Sequence, residues 1–200
     1  MADLLTDAQF NEFRKLIYDS SGITFSETNR SILDSRLKER LRDKNLENLE
    51  DYYKLITSNK EEFKLFLDSI TTNLTRFFRN QPNFDALINY VIPHVIEEKQ
   101  SGVDRKIRIW SAGCSTGEEP YTIAMLLKDK LPAPWTFEIL ASDISLKSLM
   151  VGKQGFYSDS RIAGVPPEYL NKYFTHVSGG YQVKEEIMKC VRFDYHNLKH

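Results

Sequence analysis

The residues with the most evident chemistry lie between Trp110 and Tyr121. Gly113 and Gly117 bracket Cys114, Ser115 and Thr116, and Glu118, Glu119 and Pro120 come directly after. Glycines at such a turn let the backbone approach a ligand closely. The run contains no G-x-G-x-x-G, and its two glutamates stand where a pyrophosphate would want the positive end of a helix. Acids there suit a cationic ligand carrying an ammonium and a sulfonium, which describes S-adenosyl-L-methionine. Two glycines alone are also met in an ordinary strand-to-helix turn. A further acid, Asp143, closes the run Phe137-Glu-Ile-Leu-Ala-Ser-Asp-Ile144. At the end of the second strand of a βαβ unit an acid can bind both ribose hydroxyls. Asp143 or Ser145 can also cap the helix running through Leu146, Leu149 and Met150, and the two roles are compatible.

These side chains need elements to hold them. Ile107, Ile109 and Trp110 read as a short buried strand before the turn. Pro120 suits the first turn of a helix, and Ile123, Ala124 and Leu127 continue it at helical spacing. The loop Leu131-Pro-Ala-Pro-Trp135 leads into the second strand, and Val191 to Tyr195 reads as a third. Gly179 and Gly180 between short alternating stretches predict a hairpin over Phe174 to Val183. Pro82 starts a helix in which Pro93 predicts a kink, and a polar run from Glu97 to Lys106 links it to the first strand.

Residues 1 to about 80 read as helical throughout, with no Gly or Pro between Gly22 and Pro82. Thr6 and Gln9 form a capping box, and Gly22 is the matching stop. The second helix carries Leu33, Leu37 and Leu41 as one stripe. Arg36 and Arg40 flank it on one side, Lys38 and Arg42 on the other. Such a helix is either a solvated amphipathic element whose long side chains snorkel or a dock for an acidic helical partner.

Composition narrows the classes. In 200 residues, 41% are hydrophobic and 28% charged, which supports an ordinary soluble core and surface. A net charge of −1 gives no nucleic-acid signal. Cys114 and Cys190 have neither metal nor redox spacing, so reduced thiols, no metal site and a cytoplasmic location are expected. The N-terminus lacks the form of a signal peptide, and no apolar run is long enough to span a bilayer, so no membrane insertion is expected.

Thr72-Asn-Leu-Thr-Arg-Phe-Phe-Arg79, Trp110 to Tyr121, Ala141-Ser-Asp-Ile144 and Phe193-Asp-Tyr-His-Asn-Leu198, in that order, resemble CheR-type chemotaxis protein methyltransferases. The resemblance covers essentially the whole chain. It implies an α/β protein: a helical receptor-docking domain over residues 1–80, then the N-terminal part of a Rossmann-like methyltransferase domain over 81–200. A small β-subdomain is inserted at about 174–190. The implied activity is transfer of a methyl group from S-adenosyl-L-methionine to glutamate carboxylates of chemoreceptor methylation helices, leaving S-adenosyl-L-homocysteine. Arg36 and Arg42 fall on the family's substrate-recognition arginines. Asn73, Thr75 and Arg79 come near the cofactor, with Arg79 at the reaction centre, and its fork suits orienting a carboxylate. Gly113 meets the cofactor, Glu118 its methionine end and Asp143 the ribose, while Asn197 and Leu198 hold the adenine. Family members continue beyond this point with further sheet strands, so a truncated domain, weak activity and self-association through an open sheet edge are expected. Alternatives are a small-molecule methyltransferase and a non-catalytic module that binds the cofactor or the receptor.

Overall fold

The computed structural model describes residues 5–71, 74–99 and 104–199. It divides into two compact units, one of Met1–Thr72, Ile144–Leu146 and Asn197–His200, the other of Asn73–Asp143 and Lys147–His196. The division precedes the expected boundary at residue 80, and Phe77 supplies the reason. Its ring is 2% exposed and meets Tyr157 and Phe174 edge-on at 4.9 and 5.5 Å, inside the second unit's core.

The first unit is built from α1 (Asp7–Ser21), α2 (Arg30–Lys44), α3 (Leu49–Ser58) and α4 (Lys60–Ile70). Thr6 and Gln9 close the capping box, and Gly22 ends α1 at φ 77°, a conformation that glycine adopts without the clash a Cβ would bring. The expected stripes are buried: Phe10, Phe13 and Ile17 of α1 and Leu33, Leu37 and Leu41 of α2 meet Tyr52 of α3 and Phe66 of α4. One carboxylate enters this core. Glu62, 3% exposed, accepts hydrogen bonds from Arg40 Nε and from the Tyr52 hydroxyl, both at 3.1 Å, and Lys44 Nζ lies 2.6 Å from its other oxygen. Burial disfavours its charge, but bonds from Lys44, Arg40 and Tyr52 outweigh that and hold it below the usual carboxylate range.

The second unit opens with α5 (Gln81–Ala86), a π-helical turn over Leu87–Val91 and α6 (Ile92–Lys99). The π turn stands where a kink was expected. Pro93 has no N–H to give the carbonyl four residues back, and widening the preceding turn accommodates that loss. Three strands then form a parallel sheet in the order β1 (Lys106–Ala112), β2 (Thr136–Asp143), β6 (Val191–Tyr195). α7 (Glu118–Lys130) links β1 to β2, and α8 (Leu146–Gln154) comes after β2. β3 (Phe156–Tyr157), β4 (Phe174–Val177) and β5 (Gly180–Val183) form a second, antiparallel sheet in the order β3-β5-β4. The expected hairpin is its β4–β5 half. β3 adds a strand well upstream of the expected insertion, and two residues are too few to show a period in sequence. The remaining helices are short: α9 (Asp159–Ile162), α10 (Pro167–Tyr173) and α11 (Glu185–Met188).

Gly117 joins the turn to α7 at φ 94°. A Cβ there would lie 2.9 Å from Phe193 Cζ and 3.1 Å from Gly152 Cα, so only glycine brings the helix this close to β6 and α8. No helix among the described residues is long and apolar enough to cross a membrane.

Candidate cofactor site

The carboxyl ends of β1 and β2 are stitched together by the turn between β1 and α7. Gly113 N and Cys114 N both donate to the Ser142 carbonyl, at 2.8 and 2.9 Å. Ser115, at φ 49°, donates its N–H to Asp143 Oδ2 at 2.7 Å. The Asp143 carboxylate is thus directed at the turn. Two features leave the turn open to a ligand. A Cβ at Gly113 would meet nothing within 4 Å. The Ser115 hydroxyl is buried yet has no hydrogen-bond partner among the described residues, an arrangement that costs free energy unless a ligand or water completes it.

Acids dominate the first turn of α7. Glu118 is 1% exposed. The Thr116 hydroxyl donates to its Oε2 at 2.7 Å and Arg161 Nη1 donates to its Oε1 at 2.9 Å. Glu119 accepts from the Ser111 hydroxyl at 2.7 Å. Trp110, 53% exposed, donates through Nε1 to Ser142 Oγ at 2.9 Å and lies edge-on to the His196 ring at 5.6 Å. Burial, then the Asp143 charge, pushes the Cys114 thiol up to about 12, away from the thiolate that a nucleophile needs.

Gly113, Glu118 and Asp143 therefore sit on one turn and its anchoring strand end. The segment carrying Thr75 and Arg79 is tied to the same helix start. Phe78, at φ 54°, donates its N–H to Thr122 Oγ1 at 3.3 Å, and that hydroxyl donates to the Glu118 carbonyl at 2.7 Å. Thr75 is half-buried; Arg79 is exposed and donates to the Leu74 carbonyl at 2.6 Å. Asn73 lies outside the described residues. Asn197 and Leu198 group with the helical unit. The Asn197 amide donates to the Ser20 carbonyl at 2.9 Å, and Leu198 is 62% exposed. On α2, Arg36 pairs with Glu39 at 2.9 Å, and Arg42 Nε reaches the Lys38 carbonyl at 3.4 Å. Arg40 and Lys44 are cations of that helix committed to the core through Glu62.

Sequence reasoning passed over Ser111, Ser115, Thr116 and Arg161. Ser115 and Thr116 lie in the turn itself and were legible as polar turn residues, while Ser111 lies in β1. Arg161 is 43 residues from Glu118, and nothing in local spacing points to it.

A parallel sheet with a glycine turn, an acidic helix start and a strand-end carboxylate belongs to the S-adenosylmethionine-binding α/β domains, whose ligands lie beyond the carboxyl ends of the strands. The residues fit that cofactor: the acids suit its cationic end, and the open Gly113 and the unpartnered Ser115 hydroxyl leave room and a polar contact. Comparison with known proteins agrees. Residues 73–200 match the CheR methyltransferase SAM binding domain, and residues 8–71 the CheR methyltransferase all-alpha domain. The chain is 36% identical over 200 residues to a chemotaxis protein methyltransferase of Borreliella burgdorferi, covering 97% of this chain and 71% of that one. It is 36% identical over 201 residues to one of Escherichia coli, with 97% and 67% covered. Chemotaxis protein methyltransferase 2 of Vibrio cholerae is 32% identical over 200 residues, with 98% and 68% covered. The chain belongs to the CheR methyltransferase family, and its cofactor is S-adenosyl-L-methionine.

Proposed function

We propose that the protein methylates glutamate side chains of chemoreceptor methylation helices, forming methyl esters in chemotaxis. The observation that carries the reading is the acidic, glycine-opened turn at the ends of β1 and β2, joined by the relatives' shared name of chemotaxis protein methyltransferase. S-adenosyl-L-methionine supplies a methyl group made electrophilic by its sulfonium. A glutamate side chain, which ordinarily titrates near pH ~4.3, is already a carboxylate at neutral pH and needs no general base. Its oxygen forms the new O–CH3 bond as the C–S bond breaks with its electron pair passing to sulfur, and no proton moves. The chain's contribution is placement in a site that excludes water. Asp143 holds the ribose, and Glu118 the ammonium of the amino-acid end. Thr75 and Asn73 line the cofactor, and Asn197 and Leu198 hold the adenine. Arg36 and Arg42 dock the acidic helix. Arg79 meets the incoming carboxylate with a planar fork, and it raises the rate only if it holds the transition state better than the ground state.

The test uses a methyl-labelled cofactor and a chemoreceptor cytoplasmic fragment. Label released as methanol by mild alkali, and lost when the acceptor glutamates are changed to alanine, supports the reading. Stable label, label on small molecules alone, or cofactor binding without transfer would replace it. Arg79→Ala should cut the methyl-transfer rate by at least ~10-fold, the scale of one lost charge-assisted hydrogen bond, while circular dichroism stays unchanged. Transfer at the wild-type rate removes Arg79 from the mechanism.

A further inference from the structure

Glu118 is one of the most deeply buried charged groups of the second unit, at 1% exposure, and the chain already satisfies both of its oxygens. The partners form a closed set. Arg161 Nη1 donates to Glu118 Oε1 at 2.9 Å and to Thr116 Oγ1 at 2.8 Å, and the Thr116 hydroxyl donates to Glu118 Oε2 at 2.7 Å. The Tyr157 hydroxyl fixes the Thr116 carbonyl at 2.7 Å. A carboxylate taken this far from water needs a counterion, because an isolated buried charge is strongly unfavourable. Arg161 is that counterion, and it differs from Glu118 in one respect: its side chain is 44% exposed. It comes from α9, beside the small sheet, and its contacts to the pair use a single nitrogen. The guanidinium can therefore withdraw to water on its long stem, while the carboxylate cannot follow.

An ammonium group approaching Glu118 meets a carboxylate whose charge is already balanced. Two cations then share one anion in a confined space, and the half-exposed one is the cheaper to return to solvent. We propose that Arg161 is an exchangeable counterion of Glu118, displaced by the ammonium of the cofactor's amino-acid end and able to re-pair when the product leaves. This rests on the assignment of Glu118 to that ammonium. The product, S-adenosyl-L-homocysteine, keeps the ammonium but loses the sulfonium charge, so competition from Arg161 favours its departure. Arg161 acts through Glu118 and is a positioning residue of the site.

A purely structural role predicts that any loss of Arg161 weakens binding; exchange predicts the reverse. Titration calorimetry of the protein with S-adenosyl-L-homocysteine should show Arg161→Gln binding about two- to fivefold more tightly, the range of a partly exposed ion pair. Arg161→Lys, which keeps the competing charge, should bind like wild type. 5′-Methylthioadenosine, which has no ammonium, should bind both proteins equally. In a Glu118→Gln background the Arg161→Gln effect should vanish. Arg161→Met, which keeps the stem, replaces Gln if circular dichroism shows that the Gln variant does not fold. Unchanged or weaker S-adenosyl-L-homocysteine binding in the neutral variants, or an equal change for both ligands, overturns the exchange. Should Glu118→Gln alone leave S-adenosyl-L-homocysteine affinity at the wild-type value, the assignment of Glu118 fails instead.

Discussion

Asp143 and Glu118 both face the same turn, yet they differ in what already holds them. Asp143 accepts the Ser115 N–H and so shapes the backbone that a ligand must approach. Glu118 is balanced by Thr116 and Arg161. Asp143→Ala therefore removes a charged hydrogen-bond acceptor and loosens the turn, and S-adenosyl-L-homocysteine should bind about 10- to 100-fold more weakly by calorimetry, as expected for one lost bond to a charged group. Glu118→Gln should weaken it as well, with less disturbance of the backbone. Binding unchanged in both variants would move the site elsewhere, for example to the groove of about 450 Å3 lined by Phe78, Phe84, Ile88 and Tyr169. These two acids were legible in the sequence because each stands at the end of an element whose period announces it. Arg161 was not, because no local pattern encodes a contact across 43 residues.

Helix α2 shows the same limit one level up. Its leucine stripe and flanking cations are plain in sequence, but the sequence does not say which cations the fold consumes. Arg40 and Lys44 reach the buried Glu62 of α4, and Lys38 pairs with Asp34 at 2.6 Å. Arg36 and Arg42 remain at the surface, where the proposed function has them meet the acidic helix. The two sets should separate experimentally. Charge reversal at Arg36 or Arg42 should reduce receptor methylation, most strongly at low salt, while the melting temperature holds. Glu62→Gln should instead destabilise the helical unit by ~3–5 kcal/mol at neutral pH, because it breaks a buried ion network. The sign with pH comes from the lowered pKa of Glu62. Its contribution is present above the unfolded-state value of about 4.3 and fades as pH falls through the folded one. The stability gap between wild type and Glu62→Gln should therefore narrow on acidification below about pH 4. A gap that stays constant down to about pH 2 would show that the Glu62 carboxyl titrates alike in the folded and unfolded states.

At the scale of the molecule the described residues form two hydrophobic cores, one closed by Phe10, Leu37 and Phe66, the other by Phe77, Met125 and Phe193. The class of each unit was readable from period alone: uninterrupted helical stripes in the first, strand–turn–helix alternation in the second. The edge between them was not, since Phe77 comes after a helical run in sequence but packs with Tyr157 and Phe174. Separate cores allow separate stabilities. A ligand that binds one folded unit stabilises it by RT ln(1 + [L]/Kd), about 2.7 kcal/mol at a hundredfold excess over Kd. Hydrogen exchange with S-adenosyl-L-homocysteine at that excess should therefore slow at residues 113–118, in β1 and β2, and at the start of α7. The capped interior of α1 and the Leu33–Leu41 stretch of α2 should change by less than a tenth as much. The turn amides matter most: Gly113 and Cys114 bond to Ser142, and Ser115 to Asp143, so closure of a ligand over this turn is read directly at three N–H groups. Protection spread equally over α1 to α4 would mean that these helices themselves, and not only the Asn197–Leu198 segment, take part in holding the cofactor, and protection absent from residues 113–118 would mean that the turn does not hold it at all.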